Sequence, residues 1–402
     1  MNGSKDSHSV LEQAQGRKDI IMAQTYVAIT SPGLEDLLLE ELRKMKIKRP
    51  KKIEGGVEFE ATSRGFYEVL LWSRIAHRVM LRVTEFRARD QRECYKKTRR
   101  FEWERLFGEG ANVAIRGVVH SSYIYGSGAL SKSVMDGIRD RYAFDKSNIK
   151  GPFLEQTERG RSSEDQLMLL ARCEEDRCEL SLEGSSGSMH RRGWRKCTGS
   201  APLRESIAAA MLQAIDWDPA TEPLLDPMCG SGTILIEAMR KSLSMLPRLD
   251  DHDYGVCAWD NFKPEQFEKL QSLHPQKTIE GLKVIGRDQD AEVLKCAGEN
   301  AKRAGVKDFV RFEHVAFADG QPPEDGPRGW IVSNPPYGER IEDGEILREL
   351  GEGLRERFKG WNVALLLSEK QRPPRIGSVW KERLVFRNGG LNVKLWVGQV
   401  PE

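Results

Sequence analysis

A glycine-rich stretch in the second half of the chain constrains the fold more than any other feature. Leu225 ends an apolar segment, Asp226 follows it, and the sequence passes through Gly230 and Gly232 into a run with helical spacing that begins at Thr233. A strand, a tight glycine turn and a helix in that order are typical of the first unit of a doubly wound α/β sheet. The remaining C-terminal part alternates helical and β-rich segments, which predicts a parallel sheet with helices on both faces.

The residues of this turn also indicate a class of ligand. A dinucleotide site has the pattern G-x-G-x-x-G to receive a pyrophosphate, and the third glycine is missing here. The two glycines present, Gly230 and Gly232, let a ligand approach the backbone closely. Because an acid precedes the turn, a ligand with a cationic end and a nucleoside fits best. We therefore predict that Asp226 holds the methionine ammonium group of S-adenosylmethionine, and that both glycines belong to the cofactor site.

The next strand, predicted at Val284–Asp288, also ends in an acid. An acid at the end of the second strand of such a sheet accepts hydrogen bonds from ribose hydroxyls, and we assign that role to Asp288. Asp290 is the nearby competitor, and we expect it to cap the helix that follows. An unusually long stretch, residues 240–281, separates this strand from the glycine turn and predicts an inserted helical excursion.

A second motif, Asn334-Pro335-Pro336-Tyr337, follows a predicted strand that ends at Ser333. In open α/β sheets, ligands bind at this end of the strands. Two consecutive prolines lock the backbone and carry no N–H groups. The side-chain oxygen of Asn334 and the carbonyl oxygen of Pro335 are therefore predicted to be rigidly held acceptors without a partner in the protein.

Acceptors of this kind suit the transfer of a methyl group to an exocyclic amine of a nucleic-acid base. The lone pair of such an amine is delocalised into the ring, and two acceptors bonded to its hydrogens draw the nitrogen toward tetrahedral geometry. The lone pair then points at the methyl group, and no strong base is needed. We assign this catalytic role to Asn334 and Pro335, and we expect Tyr337 to stack on the face of an extruded base.

The first half of the chain is predicted to consist of smaller α+β modules. Residues 1–23 are polar and aperiodic, which predicts a disordered tail. Residues 24–86 follow a strand-helix-strand-helix-strand pattern of ferredoxin-like character, and residues 87–187 form a second module. The small residues 184–188 predict a flexible linker, so that residues 188–402 comprise the end of the linker and the catalytic domain.

The 7 cysteines are scattered, include no C-x-x-C pair and are odd in number. This pattern argues against a disulfide framework and against a structural zinc site. Cys173 and Cys178 flank a predicted hairpin, and we expect them to be reduced thiols rather than metal ligands. No stretch approaches the roughly 18 apolar residues of a membrane span, and the N-terminus has no apolar signal core. We predict a cytoplasmic protein without a metal or a membrane partner.

Four segments resemble the THUMP-domain RNA guanine N2-methyltransferases, most of all the bacterial enzymes that modify 23S ribosomal RNA. These segments are His190–Arg195, Ala201–Ser206, Leu225–Thr233 and Ser333–Arg340. The resemblance implies a Rossmann-like class I methyltransferase domain preceded by α+β ferredoxin-like and THUMP modules, with S-adenosylmethionine as the cofactor. It implies methylation of the N2 amine of a guanine in RNA, with 23S ribosomal RNA as the expected substrate, and RNA capture by the N-terminal half. The THUMP assignment of residues 87–187 depends mainly on Ala129–Ser133.

The chain departs from this family at one position. The family has an acid after the third strand that contacts the adenine amine of the cofactor, and Ala316 stands at that place here. Asp319 is the candidate to replace that acid in a shifted register, and we include it among the predicted cofactor-binding residues. The departure also supports a second hypothesis, a non-catalytic RNA-binding factor with a vestigial pocket.

Two basic stretches are candidates for RNA contact. The first contains seven Lys and Arg residues between Arg87 and Arg100, and a solvated helix face with glutamate partners is the alternative interpretation. The second, Arg191–Arg195, joins the two halves of the chain, so RNA could track across it.

Other target amines are also compatible with the sequence. The chemistry of the Asn-Pro-Pro-Tyr motif serves the N6 amine of adenine in DNA or RNA, and a transfer-RNA guanine is a close variant of the ribosomal target. A nicotinamide oxidoreductase is disfavoured, because the third glycine of a dinucleotide site is missing.

Overall fold

The computed structural model describes residues 23–144, 150–158, 163–199, 202–215, 217–249, 254–273, 284–323, 328–336 and 341–402. Nearly all of the predicted tail lies outside these ranges. Within them, no helix combines the length and the apolar character that crossing a membrane requires.

The N-terminal half contains one mixed sheet with four helices among its described residues. The strands are β1 (Gln24–Ile29), β2 (Lys48–Ile53), β3 (Gly56–Ala61), β4 (Arg78–Arg87), β5 (Asn112–His120), β6 (Phe153–Gln156), β7 (Leu167–Glu174) and β8 (Arg177–Glu183). The helices are α1 (Glu35–Lys44), α2 (Ser63–Trp72), α3 (Gln91–Arg100) and α4 (Ser127–Phe144). The strands lie in the order β2-β3-β1-β4-β8-β7-β5-β6.

The first part of this sheet confirms the predicted ferredoxin-like module. Its elements follow the order strand-helix-strand-strand-helix-strand. The sequence pattern missed β2, because Lys48–Ile53 is mostly lysine, arginine and proline and shows no apolar alternation. This strand is largely exposed and lies at the edge of the sheet, where a proline and several charges are tolerated.

The two N-terminal modules share their sheet. Strand β4 pairs with β8 from Met80 opposite Glu183 to Arg87 opposite Arg177. The predicted hairpin is present as β7 and β8, and it places Cys173 opposite Cys178 as buried free thiols. The identification of the second module as a THUMP domain stays a prediction.

The prediction of a flexible linker at residues 184–188 was wrong. Gly184 and Ser185 are buried, and their carbonyl oxygens accept hydrogen bonds from Val256 N (3.0 Å) and from the Arg248 guanidinium (2.8 Å). Small residues are present because the segment packs closely: a Cβ on Gly184 would lie 2.4 Å from the Phe66 ring. The two halves are therefore joined by a packed segment.

The C-terminal half is built on a second sheet. Its strands are β9 (Leu224–Asp226), β10 (Val284–Asp288), β11 (Val310–His314), β12 (Trp330–Ser333), β13 (Asn362–Ser368), β14 (Lys381–Asn388) and β15 (Leu391–Gln399). Its helices are α5 (Glu205–Ala214), α6 (Thr233–Ser242), α7 (Pro264–Gln271), α8 (Ala291–Arg303) and α9 (Ile341–Arg357). The order is β11-β10-β9-β12-β13-β15-β14, with the strands from β9 to β13 parallel and β15 antiparallel to both of its neighbours, β13 and β14.

This topology confirms the predicted Rossmann-like α/β fold. The chain builds outward from β9 in one direction through β10 and β11, and then returns to place β12 on the other side of β9. The strand order therefore reverses between β9 and β12. In open α/β sheets, the crevice at the carboxyl ends of two such strands is where ligands bind.

The predicted helical excursion packs the catalytic half against the ferredoxin-like module. Trp259 stacks on Phe66 with ring centroids 5.2 Å apart. Phe262 and Phe267 meet Tyr67 edge-on at 5.7 and 5.4 Å. Residues 274–281 of the excursion lie outside the described ranges. Aromatic packing of this kind holds the two halves in one continuous core.

The prediction that RNA tracks across Arg191–Arg195 was wrong for its central residues. Arg192 and Trp194 are fully buried. The Arg192 Nε atom lies 3.2 Å from Oε1 of Glu237, and the Arg74 Nη1 atom lies 3.4 Å from Oε2 of the same carboxylate. A run of arginines predicts an exposed surface only when no buried acid is available, and Glu237 on α6 is such an acid.

Candidate active site

One cavity of about 480 Å³ brings both sequence motifs together. It is lined by Asp226 at the end of β9, by Asp288 at the end of β10 and by Asn334 directly after β12. Its volume falls within the range of small-molecule sites, and it lies at the reversal of strand order. The local reason is that parallel strands end at the same edge of a sheet, so the residues that follow them converge.

Asp226 is the most strongly perturbed acid of this cavity. It is buried, and its Oδ1 atom accepts hydrogen bonds from Ser333 Oγ (2.7 Å) and Met228 N (3.2 Å). Burial raises the pKa of the Asp226 carboxyl to about 7, the charge of Asp288 adds to the rise, and the two hydrogen bonds oppose it. A cation that enters the cavity and contacts this carboxylate would lower its pKa again.

The glycine turn has two distinct parts. Gly230 lines the cavity with a φ of +52°, and its N–H donates to Asp288 Oδ2 at 2.9 Å. Gly232 does not line the cavity, although we predicted it to bind the cofactor. It begins α6 with a φ of +82°, and a Cβ there would lie 3.3 Å from Ala297 and Phe312. Gly232 thus faces Ala297 and Phe312 rather than the cavity, and its positive φ allows the chain to turn into the helix.

The two acids after β10 have the positions that the sequence predicted. Asp290 caps α8 by accepting hydrogen bonds from Glu292 N (2.9 Å) and Val293 N (3.2 Å). Asp288 Oδ1 accepts from Asp290 N at 3.0 Å, and Asp288 and Asp290 both line the cavity. The role of Asp288 toward a ribose stays a prediction.

The Asn-Pro-Pro motif contributes an unsatisfied acceptor. The Oδ1 atom of Asn334 is buried and has no hydrogen-bond partner among the described residues. Pro336 lines the cavity beside it, whereas Pro335 is buried without lining it. Tyr337 lies outside the described residues. A buried acceptor without a partner is costly in free energy, which favours a ligand donor at this point.

The segment after β11 lines the cavity through Ala316, Phe317 and Ala318. Asp319, the predicted substitute for the missing acid, is exposed and does not line it. The Phe317 ring packs against Phe358, with centroids 6.3 Å apart. The three residues of this segment that line the cavity are therefore all apolar.

Sequence reasoning missed part of the cavity lining. Ile346 and Glu349 reach it from α9, and Pro202 and Leu203 reach it from the segment before α5. Ile346 and Glu349 carry no motif, because their contribution depends on how α9 packs on the sheet, whereas Pro202 and Leu203 lie in one of the four family-like segments but had no predicted role. The helical spacing of α9 could have indicated which residues share a face, but not that the face borders the cavity.

Segment 195–199, which ends at the cavity, is fastened to α8. A disulfide joins Cys197 to Cys296, and Asn300 donates from Nδ2 to Cys197 O (3.1 Å) and accepts from Lys196 N (3.1 Å). The expectation against disulfides was wrong for this pair, because the two cysteines are 99 residues apart and no spacing pattern connects them. In the described ranges, no cluster of His, Cys, Asp and Glu side chains could hold a metal ion.

Two family descriptions match the chain. Residues 192–392 match the RMKL-like methyltransferase domain, and residues 25–80 match the RlmL ferredoxin-like domain. A curated relative, ribosomal RNA large subunit methyltransferase K/L of Vibrio campbellii, is 34% identical over 361 residues. That alignment covers 86% of this chain and 49% of the relative, so the chain spans about half the length of the curated relatives it matches.

Solved structures match the two halves together. SMU.472, crystallised as a complex with SAH, aligns with a TM-score of 0.81 at 23% identity and covers 94% of this chain and 98% of its own. A protein of Listeria monocytogenes, described as a predicted N6-adenine-specific DNA methylase, aligns with a TM-score of 0.76 at 26% identity. That alignment covers 95% of this chain and 97% of the Listeria protein. The shared arrangement therefore includes the N-terminal sheet as well as the catalytic one.

Proposed function

Because the chain belongs to the family of RMKL-like methyltransferase domains, we propose that it transfers a methyl group from S-adenosylmethionine to an exocyclic amine of a base in RNA. The names of the curated relatives, which are ribosomal RNA methyltransferases, support RNA as the substrate. The complex of SMU.472 with SAH, the demethylated form of the cofactor, supports S-adenosylmethionine as the methyl donor.

The observation that carries this proposal is the unsatisfied Asn334 Oδ1 atom in the same cavity as Asp226. Leaving a buried acceptor unpaired costs roughly 1–3 kcal/mol. An amine hydrogen of a substrate base would satisfy it. The acid on the neighbouring strand, Asp226, supplies a counter-charge for a cationic cofactor in the same cavity.

The chain's own residues have separable roles in this proposal. Asp226 holds the ammonium group, Asp288 accepts from the ribose hydroxyls, and Gly230 lets the cofactor approach the backbone. When bound, S-adenosylmethionine supplies an electrophilic methyl group at its sulfonium. Asn334 Oδ1 accepts an amine hydrogen and aims the nitrogen lone pair at the methyl group; as the N–C bond forms, the bond from the methyl group to sulfur breaks, and the nitrogen releases one proton to water. Pro335 does not line the cavity, so its predicted acceptor role takes no part in the proposal. Tyr337 stacks on the extruded base.

Asp319 takes no part in the proposal, because its side chain does not line the cavity. Phe317, which lines the cavity, would offer the nucleoside an apolar contact near the position where the family has its acid. A purine face packs well against an aromatic ring, so affinity for the nucleoside survives the loss of one hydrogen bond.

The finer assignment is the N2 amine of a guanine in 23S ribosomal RNA. The sequence blocks shared with the guanine N2-methyltransferases support the guanine target, and the names of the relatives support large-subunit ribosomal RNA as the substrate. A ribosomal substrate agrees with the predicted cytoplasmic location, which stays a prediction.

A second candidate is the N6 amine of adenine. The description of the Listeria protein favours it, and the acceptor at Asn334 would serve either amine. The two candidates differ in the modified nucleoside, so the product distinguishes them.

The test is incubation of the protein with isotopically labelled S-adenosylmethionine and ribosomal RNA, transfer RNA or DNA, followed by mass spectrometry of the nucleoside digests. We expect labelled N2-methylguanosine from ribosomal RNA. Labelled N6-methyladenosine would establish the second candidate instead. If no label is transferred and calorimetry detects no binding of S-adenosylmethionine, the proposal fails and the alternative of a non-catalytic RNA-binding factor is favoured.

A further inference from the structure

Two tyrosines of the second N-terminal module project into solvent from one short loop. Tyr123 and Tyr125 are 82% and 91% exposed, more than most large apolar side chains of the described chain. They lie in the tyrosine loop, which we define as residues 121–126 between β5 and α4. Aromatic rings held this far out of the core bury almost nothing in the folded protein, so their presence needs another explanation.

The tyrosine loop is held in place by hydrogen bonds. Asp176, in the turn between β7 and β8, accepts from Ser122 Oγ (2.9 Å) and from Tyr123 N (3.0 Å). Ile124 N donates to Ser122 Oγ at 3.2 Å, and the Ile124 side chain is buried between the two exposed tyrosines. The loop therefore presents both rings from an anchored backbone, which reduces the entropy lost when a ligand stacks on them.

A basic segment lies on the other side of the same turn. Ala88 N donates to the carbonyl oxygen of Asp176 at 2.8 Å, so the chain that carries Arg87 and Arg89 passes close to the tyrosine loop. Both arginines are exposed. They lie at the same end of the sheet's strands as the loop. Arg87 in β4 pairs with Arg177 in β8, Arg177 pairs with Glu174 in β7, and Glu174 pairs with His120 in β5.

Of the three acids at this turn, two have partners and the third, Glu175, is exposed. The Asp176 carboxylate accepts two hydrogen bonds from the tyrosine loop, and Glu174 pairs with Arg172 at 2.6 Å. Helix α4 begins at Ser127, directly after the loop, and its first turn of Ser, Gly, Ala and Leu contains no acid. The exposed side chains of Arg87 and Arg89 are the cations beside the loop that would meet an anionic partner.

We propose that the tyrosine loop and the arginines at 87 and 89 form a docking surface for an unpaired segment of RNA. Base–aromatic stacking on the tyrosines would supply sequence-tolerant affinity, and the arginines would contact the phosphates. Duplex RNA hides its base faces, so the surface discriminates for unpaired nucleotides. This inference rests on the proposed function for the choice of RNA, but the surface is separate from the cavity that holds Asn334.

The experiment measures fluorescence anisotropy of a labelled 12-nucleotide oligouridine and of a 12-base-pair RNA duplex, with the full chain and without cofactor. The double variant Tyr123→Ala/Tyr125→Ala should bind the single strand roughly 10- to 100-fold more weakly and bind the duplex nearly as before. The variant Tyr123→Phe/Tyr125→Phe should retain wild-type affinity, because phenylalanine keeps the stacking face.

Phe153 provides the matched control. It is 72% exposed, but it is paired with Asn112 and so lies at the opposite end of β5 from the tyrosine loop. Phe153→Ala should leave both affinities unchanged. Replacing Arg87 and Arg89 with glutamine should instead reduce the steepness of the slope of log affinity against log salt concentration by roughly 1.4, because each phosphate contact contributes about 0.7 to that slope for a single strand.

Failure of this inference and failure of the proposed function give different results. If the wild type binds the single strand and the tyrosine-to-alanine variant binds it equally well, the docking surface is refuted and the proposed function stands. If the wild type binds neither RNA, the docking surface is refuted, whereas the proposed function is decided by the labelling assay. A tyrosine variant that loses single-strand and duplex binding equally would also overturn the stacking role.

Discussion

The Ser333 hydroxyl donates a hydrogen bond of 2.7 Å to Oδ1 of Asp226. The bond connects the last residue of β12 to the last residue of β9, and both residues are buried. Ser333 directly precedes Asn334. The acid assigned to the cofactor and the loop assigned to the target amine are thus held in register by one hydrogen bond across the point where the strand order reverses.

Ser333→Ala should weaken cofactor binding. Loss of the hydroxyl removes one of the two hydrogen bonds that stabilise the Asp226 carboxylate, so the pKa of that group should rise further above its ordinary value. Hydrogen bonds to charged groups contribute roughly 1.5–3 kcal/mol, so calorimetry at pH 7 should show at least a tenfold loss of affinity for S-adenosylmethionine. Ser242→Ala is the control, because that hydroxyl bonds to the Ala238 carbonyl within α6. Equal affinities of the two variants would contradict the coupling.

Cofactor affinity should fall as the pH is lowered from 7 to 5.5. The Asp226 pKa is about 7 in the free protein, so the carboxyl becomes protonated below that pH, whereas an ammonium ligand binds its ionised form. Binding therefore releases a proton, and each pH unit below 7 should cost up to about tenfold in affinity. Calorimetry in buffers of different ionisation enthalpy measures the released proton. Asp226→Asn should bind the cofactor weakly at every pH and release no proton. A wild-type cofactor affinity that does not change with pH would contradict the assignment.

Asn334→Ala should abolish turnover without disturbing the cofactor. The variant removes the acceptor that the cavity leaves unsatisfied, and loss of one preorganised polar group typically lowers kcat by roughly 100- to 1,000-fold. The affinity for S-adenosylmethionine should stay within about twofold of the wild type. Asn392→Ala serves as the control, since its amide bonds to the exposed Glu369. Normal turnover of Asn334→Ala in the labelling assay would refute the catalytic role.

Glu237→Gln should destabilise the whole chain. Its carboxylate faces both Arg192 and Arg74 in the core, and removal of one partner of a buried ion pair costs roughly 3–5 kcal/mol. Thermal unfolding should show a clearly lower Tm. Asp36→Asn breaks the exposed pair with Lys52 and should change stability by less than about 1 kcal/mol. Similar Tm values for the two variants would mean that the buried pair contributes little.

Reduction of the Cys197–Cys296 disulfide should lower the Tm. The bond closes a loop of 99 residues, and restricting an unfolded chain of that length stabilises the fold by up to about 4.7 kcal/mol in the chain-entropy model. Cys197→Ser should have the lower Tm with or without reductant. Cofactor affinity should change little, because Asn300 still bonds to Lys196 N and Cys197 O. A wild-type Tm that is the same with and without reductant would show that the bond does not form in solution.

Local chemistry made much of the site predictable. A strand that ends in an acid before glycines, and a strand that ends before Asn-Pro-Pro, are each recognisable without the rest of the chain, because backbone freedom and missing N–H groups are properties of the residues themselves. The reversal of strand order then requires both ends to meet. Asp226, Gly230, Asp288 and Asn334 accordingly line one cavity.

The tertiary structure decided what depends on a distant partner. Arg192 looked like a surface residue until Glu237 supplied a buried counter-charge, and Cys197 looked free until Cys296 was brought beside it. The contributions of Glu349 to the cavity and of Lys48–Ile53 to the sheet follow from packing and edge pairing, which leave no periodic mark in the sequence. The amino acids alone therefore determined the elements and the chemistry at their ends, whereas burial and pairing across the chain were determined by long-range contacts.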